Sequence, residues 1–549
     1  MIYILNVSAS AGLGPLRVAL RLLSIIPYCA VSVQADFILL PIMATQALAS
    51  WALDLQYSSL TPSVVDAAVK SVYNWAGCAI GGYAQSAPVV AQTSIGGPFG
   101  GPGTSGILAS NDSGLVDASI AALVNGIASH VDDYDDTHLE TIIHPAGPVA
   151  SALLAVSEWQ GPVSGEDFLT AFVAGVEAEC KLGLAVYPEH YDVGWHITST
   201  TGSIGASVAI SKILNLDLNQ TRQAIGIAST QVIGMQEFFG SDTKSFHIGR
   251  AAQSGMMAAL LAQGGYTSSL SALEAKYGWS HVVSTRENLT AEFATLGKTW
   301  EIEKNTFKPF PCGIVIHPTI DACIRLRQQA VDQGLDISTI RSVNARVNPY
   351  VITLTNKTNP QTGLEAKFSV YHAAAVALLF GKATPTQFTD AVVLNQTVVD
   401  LRNKVSSTED ESVPKAEVYL TVEFEDGTTL TEHVEHAIGS IQNPLSVDQL
   451  RTKFLDQTSI VIGAARAQQA YDAFLGIANV SDVSMIRAAF ASNSSSASNS
   501  SSVSNTCGAS TTSGGSGPAV YTGAGSLVTP RKSILVLSML ATAIFASMC

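Results

Sequence analysis

Apolar residues recur three and four positions apart through much of the first half of this chain, from about residue 45 to 297. This spacing places them on one face of a helix. The clearest case follows Pro62, which suits the first turn of a helix, and continues through Val64, Ala68 and Val72. Further helices, rich in Ala, Gly and Ser, are predicted at 149–159, 167–186, 200–214 and 249–263.

The hydrophobic pattern changes after about residue 300. Residues 340–354 and 416–424 are rich in β-branched side chains and alternate between apolar and polar, which predicts strands. The sequence Glu-Asp-Gly at 425–427 predicts a hairpin turn directly after the second strand. Helical spacing returns at 371–380.

These patterns predict a mainly α protein with two structural parts. A large helical domain is built from both ends of the folded body, residues 45–304 and 438–485, and a helical pattern at 447–475 lies in its last part. A smaller α/β lid domain, residues 305–437, is inserted between them. A length of 549 residues is sufficient for more than one domain.

A Gly- and Pro-rich segment at 94–106 interrupts the helical patterns. It lacks the Gly-Lys-Ser/Thr ending of a phosphate-binding loop, and Pro98 and Pro102 remove backbone donors that such a loop needs. The segment is therefore predicted to be a turn.

The N-terminal end predicts a targeting segment rather than part of the fold. Residues 1–44 contain Arg17 and Arg21 before an apolar run at 22–33, and small residues suit cleavage after Ala35. This layout is typical of a secretory signal peptide. A mitochondrial transit peptide and a wrongly assigned start codon are the alternatives.

The C-terminal end predicts a glycolipid-anchor signal. Residues 486–533 form a Ser/Gly-rich linker that buries too little surface to fold and is expected to be disordered. Residues 534–549 form an apolar tail shorter than the about 20 residues of a spanning helix. Small residues between Ser513 and Ser526 are candidate attachment sites.

We therefore expect a glycoprotein of the secretory pathway, anchored at the cell surface, with mitochondrial or cytoplasmic location as the alternatives. Glycosylation sequons in the body support the secretory route, and they begin at Asn111, Asn219, Asn288, Asn356, Asn395 and Asn479.

Composition narrows the class of function. Only 13% of the residues are charged and the net charge is −15, so the chain has no basic surface for nucleic acid. A local basic pocket for a small anion is compatible with this balance. The seven cysteines include no Cys-x-x-Cys pair, which argues against a zinc ribbon or a disulfide scaffold.

Residues 130–144 stand out against this low charge content, since they include four Asp, one Glu, two Thr and three His. They follow an apolar helix pattern at 118–129 and end at Pro145, which biases His144 away from helix. The stretch is predicted to be a helix end that leads into a polar, ligand-facing loop. A metal site is the alternative, although no His-Glu-x-x-His or regular Asp-x-Asp frame is present.

Five motifs follow one another along the body, about residues 45–485. They are Asp133-Tyr-Asp-Asp-Thr137-His with His144-Pro, Gly194-Trp195-His196, Lys244-Ser-Phe-His247-Ile-Gly-Arg-Ala-Ala, Phe307-Lys308-Pro-Phe-Pro-Cys-Gly with His317, and Phe368-Ser-Val-Tyr371. In this order they resemble the MmgE/PrpD family, which includes cis-aconitate decarboxylase, 2-methylcitrate dehydratase and a few epimerase-like enzymes. The first motif is more similar to that of the decarboxylases, although one extra residue separates Thr137 from His144 relative to the animal enzymes.

The resemblance implies a helical main domain, an α/β lid, a cleft between them, a homodimer, and neither a metal nor an organic cofactor. It implies a cofactor-free lyase acting on a small unsaturated polycarboxylate, first by decarboxylation in the manner of cis-aconitate decarboxylase. The alternative is a hydro-lyase of the methylcitrate or alkylcitrate dehydratase type. A non-catalytic cell-surface interaction protein on this scaffold is an alternative of another class.

The resemblance also implies roles for individual residues. Lys244 and Lys308 would hold substrate carboxylates as point charges, and Thr137 would donate a hydrogen bond to one. The proton would be delivered by His144, because imidazole titrates near neutral pH. Asp133 would support it, and since Asp133 and Thr137 are four residues apart, they would share one face of a helix.

Four further residues complete the predicted site. His196 is the second catalytic histidine that the resemblance implies. His247 and His317 are expected to bind substrate, with a buried structural role as the alternative for each. Tyr371 would donate a hydrogen bond to the substrate, with a core tyrosine as the alternative.

Overall fold

Helices form most of the structure, as the apolar spacing predicts. The computed structural model describes residues 43–101, 103–110 and 115–491. Its longer helices are α1 (Ala44–Asp54), α2 (Pro62–Gly82), α3 (Ala118–Val131), α4 (Ala146–Gln160), α5 (Gly165–Val186), α6 (Ile197–Ile213), α7 (Leu218–Ser229), α8 (Asp242–Gln263), α9 (His317–Asp332), α10 (Val370–Phe380), α11 (Val447–Ile462) and α12 (Ala464–Leu475). Shorter α-helices lie at Ser86–Ala91, Glu189–Asp192, Trp279–Val283, Leu289–Phe293, Pro349–Thr355, Gly363–Ala366, Asp390–Val393 and Gln396–Arg402.

The predicted targeting segments fall almost entirely outside the described residues. This applies to the signal-like segment apart from its last two residues, to the linker beyond residue 491, to the apolar tail and to the sequon at Asn111. They stay predictions. In the part of the chain that the structure describes, no helix is both long and apolar enough to cross a membrane.

A four-stranded sheet lies in the second half of the chain. The short strands β1 (Ser105–Gly106) and β2 (Leu115–Val116) pair with each other, as do β3 (Asp136–His138) and β4 (Asn305–Phe307). The larger sheet has the order β6-β5-β7-β8, where its members are β5 (Ile340–Val347), β6 (Val405–Glu409), β7 (Val418–Phe424) and β8 (Thr429–Val434). Alternate residues of β7 are buried, which confirms the period of two that the sequence shows.

The strand predicted at 340–354 is too long, because it ends at Val347. Asn348 then caps a short helix, and its side chain accepts a hydrogen bond from the Tyr350 amide. Pro349 takes the first helical position, where its missing N–H is not needed. The hairpin turn at 425–427 is confirmed, since β7 and β8 pair antiparallel around it and Gly427 has φ 89°.

Two other segments also differ from the pattern-based expectation. The Gly/Pro-rich turn predicted at 94–106 is helical up to Phe99, through Gln92–Gly96 and Gly97–Phe99. The helix predicted at 447–475 is two helices, α11 and α12, because Gly463 between them has φ 80°, which breaks the helical path.

The buried apolar side chains form two large clusters. The first takes residues from Ala44 to Ile302 and again from Leu450 to Phe490, so its packing extends past the predicted start of the linker at residue 486. The second takes residues from Phe310 to Ala437. In the second cluster α9 and α10 pack together, and α9 also packs on β7 and β8. Contacts group the described residues into one compact unit, so the division into main domain and inserted lid stays a prediction.

Small residues allow α3 and α8 to cross closely beneath the polar loop. A Cβ on Gly126 would come within 2.6 Å of the Gly249 Cα, which no side chain tolerates. The crossing brings the C-terminal end of α3, with His130, toward the N-terminal turns of α8, with Lys244. A local pattern of small residues thus places two distant segments at one site.

Candidate active site

The polar loop begins where α3 ends, at Val131. Asp133 has φ 51°, in the left-handed region, so the chain turns sharply there. The loop then enters β3, whose Thr137 pairs with Thr306 of β4. This pairing places Lys308 beside the loop, and its backbone N–H donates to the Asp135 carbonyl at 3.3 Å.

The prediction that Asp133 and Thr137 share a helix face is wrong. The helix has already ended two residues before Asp133, and Thr137 lies on a strand. The long-range pairing of β3 with β4 satisfies the backbone groups that a continued helix would have used. The wider prediction of a helix leading into a polar loop is confirmed.

Asp133 is the central charge of the site. Its Oδ1 accepts hydrogen bonds from the Lys244 Nζ at 2.7 Å and from the Lys308 Nζ at 2.6 Å. All three side chains are buried. Burial favours the neutral carboxyl group, but the two lysines outweigh it and hold the pKa of Asp133 well below its usual range. Burial lowers the pKa of Lys244, whereas Asp133 and Asp135 raise the pKa of Lys308. The site thus contains a buried cluster of one carboxylate and two lysines.

A second buried pair lies next to this triad. His130 Nδ1 is 2.6 Å from Asp135 Oδ2, and the Lys244 Nζ donates to His130 Nε2 at 2.9 Å. Because Nε2 accepts a hydrogen bond, Nδ1 carries the ring proton and donates a hydrogen bond to Asp135. Burial lowers the pKa of His130, so the ring is neutral and joins Lys244 to Asp135 through one hydrogen-bonded chain.

The geometry around His144 determines which of its nitrogens is protonated. Its Nδ1 lies 2.6 Å from the backbone carbonyl oxygen of Asp136, an acceptor, so Nδ1 carries the proton. Nε2 makes no hydrogen bond to any residue that the structure describes. Burial, followed by the charge of Lys308, lowers the pKa of His144 to about 3. His144 is therefore a neutral imidazole with a lone pair at Nε2.

A pocket opens over these groups. Its charged and imidazole lining consists of Asp133, His144, His196, Lys244 and Lys308. The rest of the lining is mainly apolar and includes Ile142, Tyr191, Phe239, Ile314, Val315, Leu354 and Phe368. Such a pocket suits a small ligand with acidic groups at one end, held out of water by apolar walls.

Five predicted residues therefore meet in one pocket, and a sixth lies directly behind them. His196 lines the pocket, and its Nδ1 lies 3.0 Å from the Nδ1 of His247, which packs behind it. Burial holds the pKa of His196 well below its usual range and lowers the pKa of His247 to about 4, so both rings are neutral. Lys244 lies over the rings of Phe239 and Phe368, 5.2 and 5.5 Å from their centres.

The other three predicted residues do not line the pocket. Thr137 Oγ1 lies 3.2 Å from His144 Nδ1, so it contacts the imidazole instead of the open space. His317 packs against Phe310, and its Nε2 lies 3.3 Å from the carbonyl oxygen of Cys312. Tyr371 donates its hydroxyl hydrogen to Asn356 at 2.8 Å, and neither residue lines the pocket. Substrate binding by these three stays a prediction without a direct structural contact.

Sequence reasoning missed part of the site. His130 and Asp135 belong to the same polar stretch, and only the tertiary contacts separate their roles from those of its other members. No sequence pattern indicated the apolar wall of the pocket, because Ile314, Val315 and Leu354 resemble ordinary core residues in the sequence. Ile142 is β-branched with φ 61°, an uncommon conformation that turns the chain beside His144.

The same cluster contains the donor atoms of a possible metal site. His130, Asp133, Asp135 and His144 each bring one potential ligand atom within 4.8 Å of the others. The Asp133 oxygen already holds two ammonium groups, so a divalent cation would have to displace them or tolerate two positive charges nearby. The donor set therefore fits a lysine-bound anion better than a metal ion.

Comparison with known proteins gives matches along nearly the whole body. The model of the MmgE/PrpD N-terminal domain matches residues 46–292, and that of the MmgE/PrpD C-terminal domain matches residues 310–476. The chain is 28% identical to cis-aconitate decarboxylase of Aspergillus terreus over 393 residues, 66% of this chain and 79% of that protein.

Two further relatives come from other organisms. The chain is 30% identical to cis-aconitate decarboxylase of Mus musculus over 351 residues, 61% of this chain and 70% of that protein. It is 22% identical to 2-methylcitrate dehydratase of Escherichia coli (strain K12) over 333 residues, 56% of this chain and 68% of that protein.

Proposed function

This chain belongs to the MmgE/PrpD family, and we propose that it is a lyase that decarboxylates a small unsaturated polycarboxylate of the cis-aconitate type. The observation that carries the proposal is the buried pair of lysines beside a neutral histidine in one pocket. The relatives named cis-aconitate decarboxylase support the reaction type. A homodimer is part of the proposal, as the family resemblance implies.

The lysines provide binding. Lys244 and Lys308 share one oxygen of Asp133, so each ammonium group keeps donors for an incoming carboxylate. The apolar wall excludes water and strengthens these ion pairs. The apolar wall also favours loss of a carboxylate as carbon dioxide. Unlike the charged carboxylate, this neutral product loses little hydration free energy in an apolar environment.

Decarboxylation of cis-aconitate requires one proton. The bond from the saturated carbon to its carboxyl group breaks, and its electron pair forms a new double bond. The electrons of the original double bond then take a proton at the alkene carbon farther from the saturated carbon, which gives itaconate and carbon dioxide. One proton is therefore consumed in each turnover and must be delivered to carbon inside the pocket.

His144 is the proposed proton donor. Its Nε2 is unprotonated beside the charged Lys308, because burial and Lys308 lower its pKa to about 3. Bound carboxylates neutralise the lysine charges and raise that pKa, so the imidazole takes up a proton with the substrate. The Asp136 carbonyl holds the ring through Nδ1, which leaves Nε2 available to the substrate.

A dehydratase is the second candidate. A neutral His144 with a free Nε2 is also suited to remove a proton from a hydroxylated substrate such as 2-methylcitrate. The relative named 2-methylcitrate dehydratase supports this alternative, at lower identity. The two reactions differ in product, since only the first releases carbon dioxide.

The decisive experiment is proton NMR of the purified protein with cis-aconitate and, separately, with 2-methylcitrate. We expect itaconate and carbon dioxide from the first substrate. Loss of water from 2-methylcitrate without gas would replace the decarboxylase proposal by the dehydratase one. Absence of turnover with both compounds would refute both reactions for these substrates.

His144→Ala tests the proton donor. The rate constant kcat should fall at least about 100-fold, the usual contribution of a positioned acid or base. His281→Ala is the matched control, because His281 is exposed on another helix and should leave kcat unchanged. A His144→Ala enzyme with a near wild-type rate would remove His144 from the mechanism.

A further inference from the structure

Two more buried lysines contact the polar loop from its other side. The Lys367 Nζ donates to the Asp132 carbonyl oxygen at 2.8 Å and to Asp132 Oδ1 at 3.1 Å. The Lys453 Nζ donates to the Tyr134 carbonyl oxygen at 2.6 Å and to Asn74 Oδ1 at 2.7 Å. Both side chains are buried, with 4% and 6% of their surface exposed. Neither lysine lines the pocket that holds Lys244 and Lys308.

The contacted carbonyl groups belong to the residues directly before and after Asp133. Asp133 is the loop residue in the left-handed conformation, and it holds both pocket lysines. Asp adopts this conformation more readily than most non-glycine residues, and its surroundings hold it there. Lys367 and Lys453 are placed to do this, one on each side.

We propose that Lys367 and Lys453 are positioning residues, which clamp the loop 132–136 so that Asp133, and through it Lys244 and Lys308, keep the geometry needed for turnover. This inference deepens the proposed function and rests on it for the kinetic part of its test. The two lysines act through the loop backbone and do not touch substrate.

The two lysines come from different parts of the fold. Lys453 lies on α11, near the C-terminal end of the described body, and also lies 4.2 Å from the centre of the Tyr134 ring. Lys367 follows the short helix Gly363–Ala366 in the other hydrophobic cluster and donates to the Pro311 carbonyl oxygen at 3.3 Å. Segments from both clusters therefore hold one loop, and the loop geometry depends on their packing.

Burial of a lysine without a partner is disfavoured, because an ammonium group loses its hydration. Lys367 has the Asp132 carboxylate as a partner, 3.1 Å away. Lys453 has no ion pair among the described residues, and burial lowers its pKa. Its hydrogen-bond acceptors are the Tyr134 backbone carbonyl and the Asn74 amide oxygen, so its contacts are with the loop and with α2. A buried lysine used in this way is expected where loop position matters to activity.

Lys453→Met is the first variant. Methionine keeps most of the side-chain volume and removes a charge without an ion-pair partner, and the Tyr134 carbonyl retains the Cys78 thiol as a donor at 3.3 Å. We expect a folded enzyme whose kcat is about 10–100-fold lower, with a smaller rise in KM, because Lys244 and Lys308 remain but are held less firmly. Lys453→Arg should recover part of kcat by restoring a donor.

Hydrogen–deuterium exchange tests the clamp independently of turnover. In Lys453→Met the peptides that cover 130–146 should exchange at least about tenfold faster, while peptides from α5 and α9 keep their wild-type rates. A purely structural role would instead raise exchange throughout the body. Lys367→Gln should produce the same local pattern, and it keeps the test informative if Lys453→Met does not fold.

Lys298→Met is the matched control. Lys298 also donates to a backbone carbonyl, that of Ala294 at 3.0 Å, but it is exposed on the surface, so kinetics and exchange should not change. Unchanged loop exchange and unchanged kcat in both folded variants would overturn the clamp. Faster loop exchange in an enzyme that converts neither cis-aconitate nor 2-methylcitrate would support the clamp and refute the proposed function.

Discussion

Buried carboxyl groups occur in two neighbouring regions of the molecule and behave in opposite ways. Asp133 and Asp135 of the polar loop have pKa values held below the usual range, despite complete burial. Glu177 and Glu179 of α5 are equally buried, yet the pKa of Glu177 rises to about 8 and the pKa of Glu179 rises well above its usual value. The difference is in the partners, since burial by itself raises the pKa of all four.

In the loop, cationic and imidazole groups offset the loss of hydration. Asp133 has two lysines and Asp135 has His130 within hydrogen-bond distance. On α5, neither carboxylate oxygen of Glu179 has a hydrogen-bond partner among the described residues. Burial therefore raises the pKa of Glu179, and no cation offsets it.

Asp136 lies between these extremes. Burial and the nearby charge of Asp135 raise its pKa to about 7, although Asn305 and the Ala146 amide donate to its Oδ2. Its Oδ1 has no hydrogen-bond partner within the part of the chain that the structure describes. Amide donors alone thus do not keep a buried carboxyl group fully charged here, whereas lysines and histidines do. The pocket is lined by one of the carboxylates that have such partners, Asp133.

Removal of a lysine that pairs with the loop carboxylate should have the largest effect on catalysis. Lys308→Met leaves Asp133 with Lys244 alone and removes one carboxylate-binding group. We expect kcat/KM to fall at least about 100-fold, equivalent to about 2.7 kcal/mol, with KM raised about tenfold. Steady-state kinetics with the substrate identified by NMR measures this. Lys382→Met, an exposed change, is the control, and an unaltered KM in Lys308→Met would contradict the binding role.

Lys181, which does not line the pocket, should affect the stability of the fold rather than turnover. Lys181 of α5 pairs with the buried Glu301, which also accepts from His138 at 3.0 Å and from Lys304. Lys181→Met should lower the free energy of unfolding by about 2–3 kcal/mol, because Glu301 loses one of its three partners. Urea denaturation measures this. Lys181→Met with Glu301→Gln should recover part of the loss; no recovery would show that the ion pair is not its cause.

The last effect depends on pH and is expected where the carboxyl group has no cation beside it. Glu179 has a raised pKa, so the folded state keeps a proton that the unfolded state releases above about pH 4.5, and stability falls as pH rises. Glu179→Gln removes this dependence and should become more stable than wild type by up to about 1.4 kcal/mol per pH unit above about pH 4.5. Melting temperatures between about pH 4.5 and 8 measure the difference. The exposed Glu189→Gln should show none, and a pH-independent difference for Glu179→Gln would contradict the assignment.

Local sequence patterns predicted much of the architecture. The helix that ends near residue 130, the polar loop after it and the hairpin at 425–427 all follow from spacing and turn chemistry. Motif order pointed to Lys244, Lys308 and His144, which the structure brings to one pocket. These features depend on residues close together in sequence or on a run of motifs, so they are visible in the chain itself.

Only the tertiary structure decided how these pieces meet. The pairing of Thr137 with Thr306 turned an expected helix face into a strand, and Tyr371 lies outside the pocket lining. Lys367 and Lys453 resemble ordinary lysines in the sequence, yet both donate to the loop that carries Asp133. The physical reason is that periodicity reports which face of an element is buried, whereas charge, protonation and strain depend on partners that lie far away along the chain.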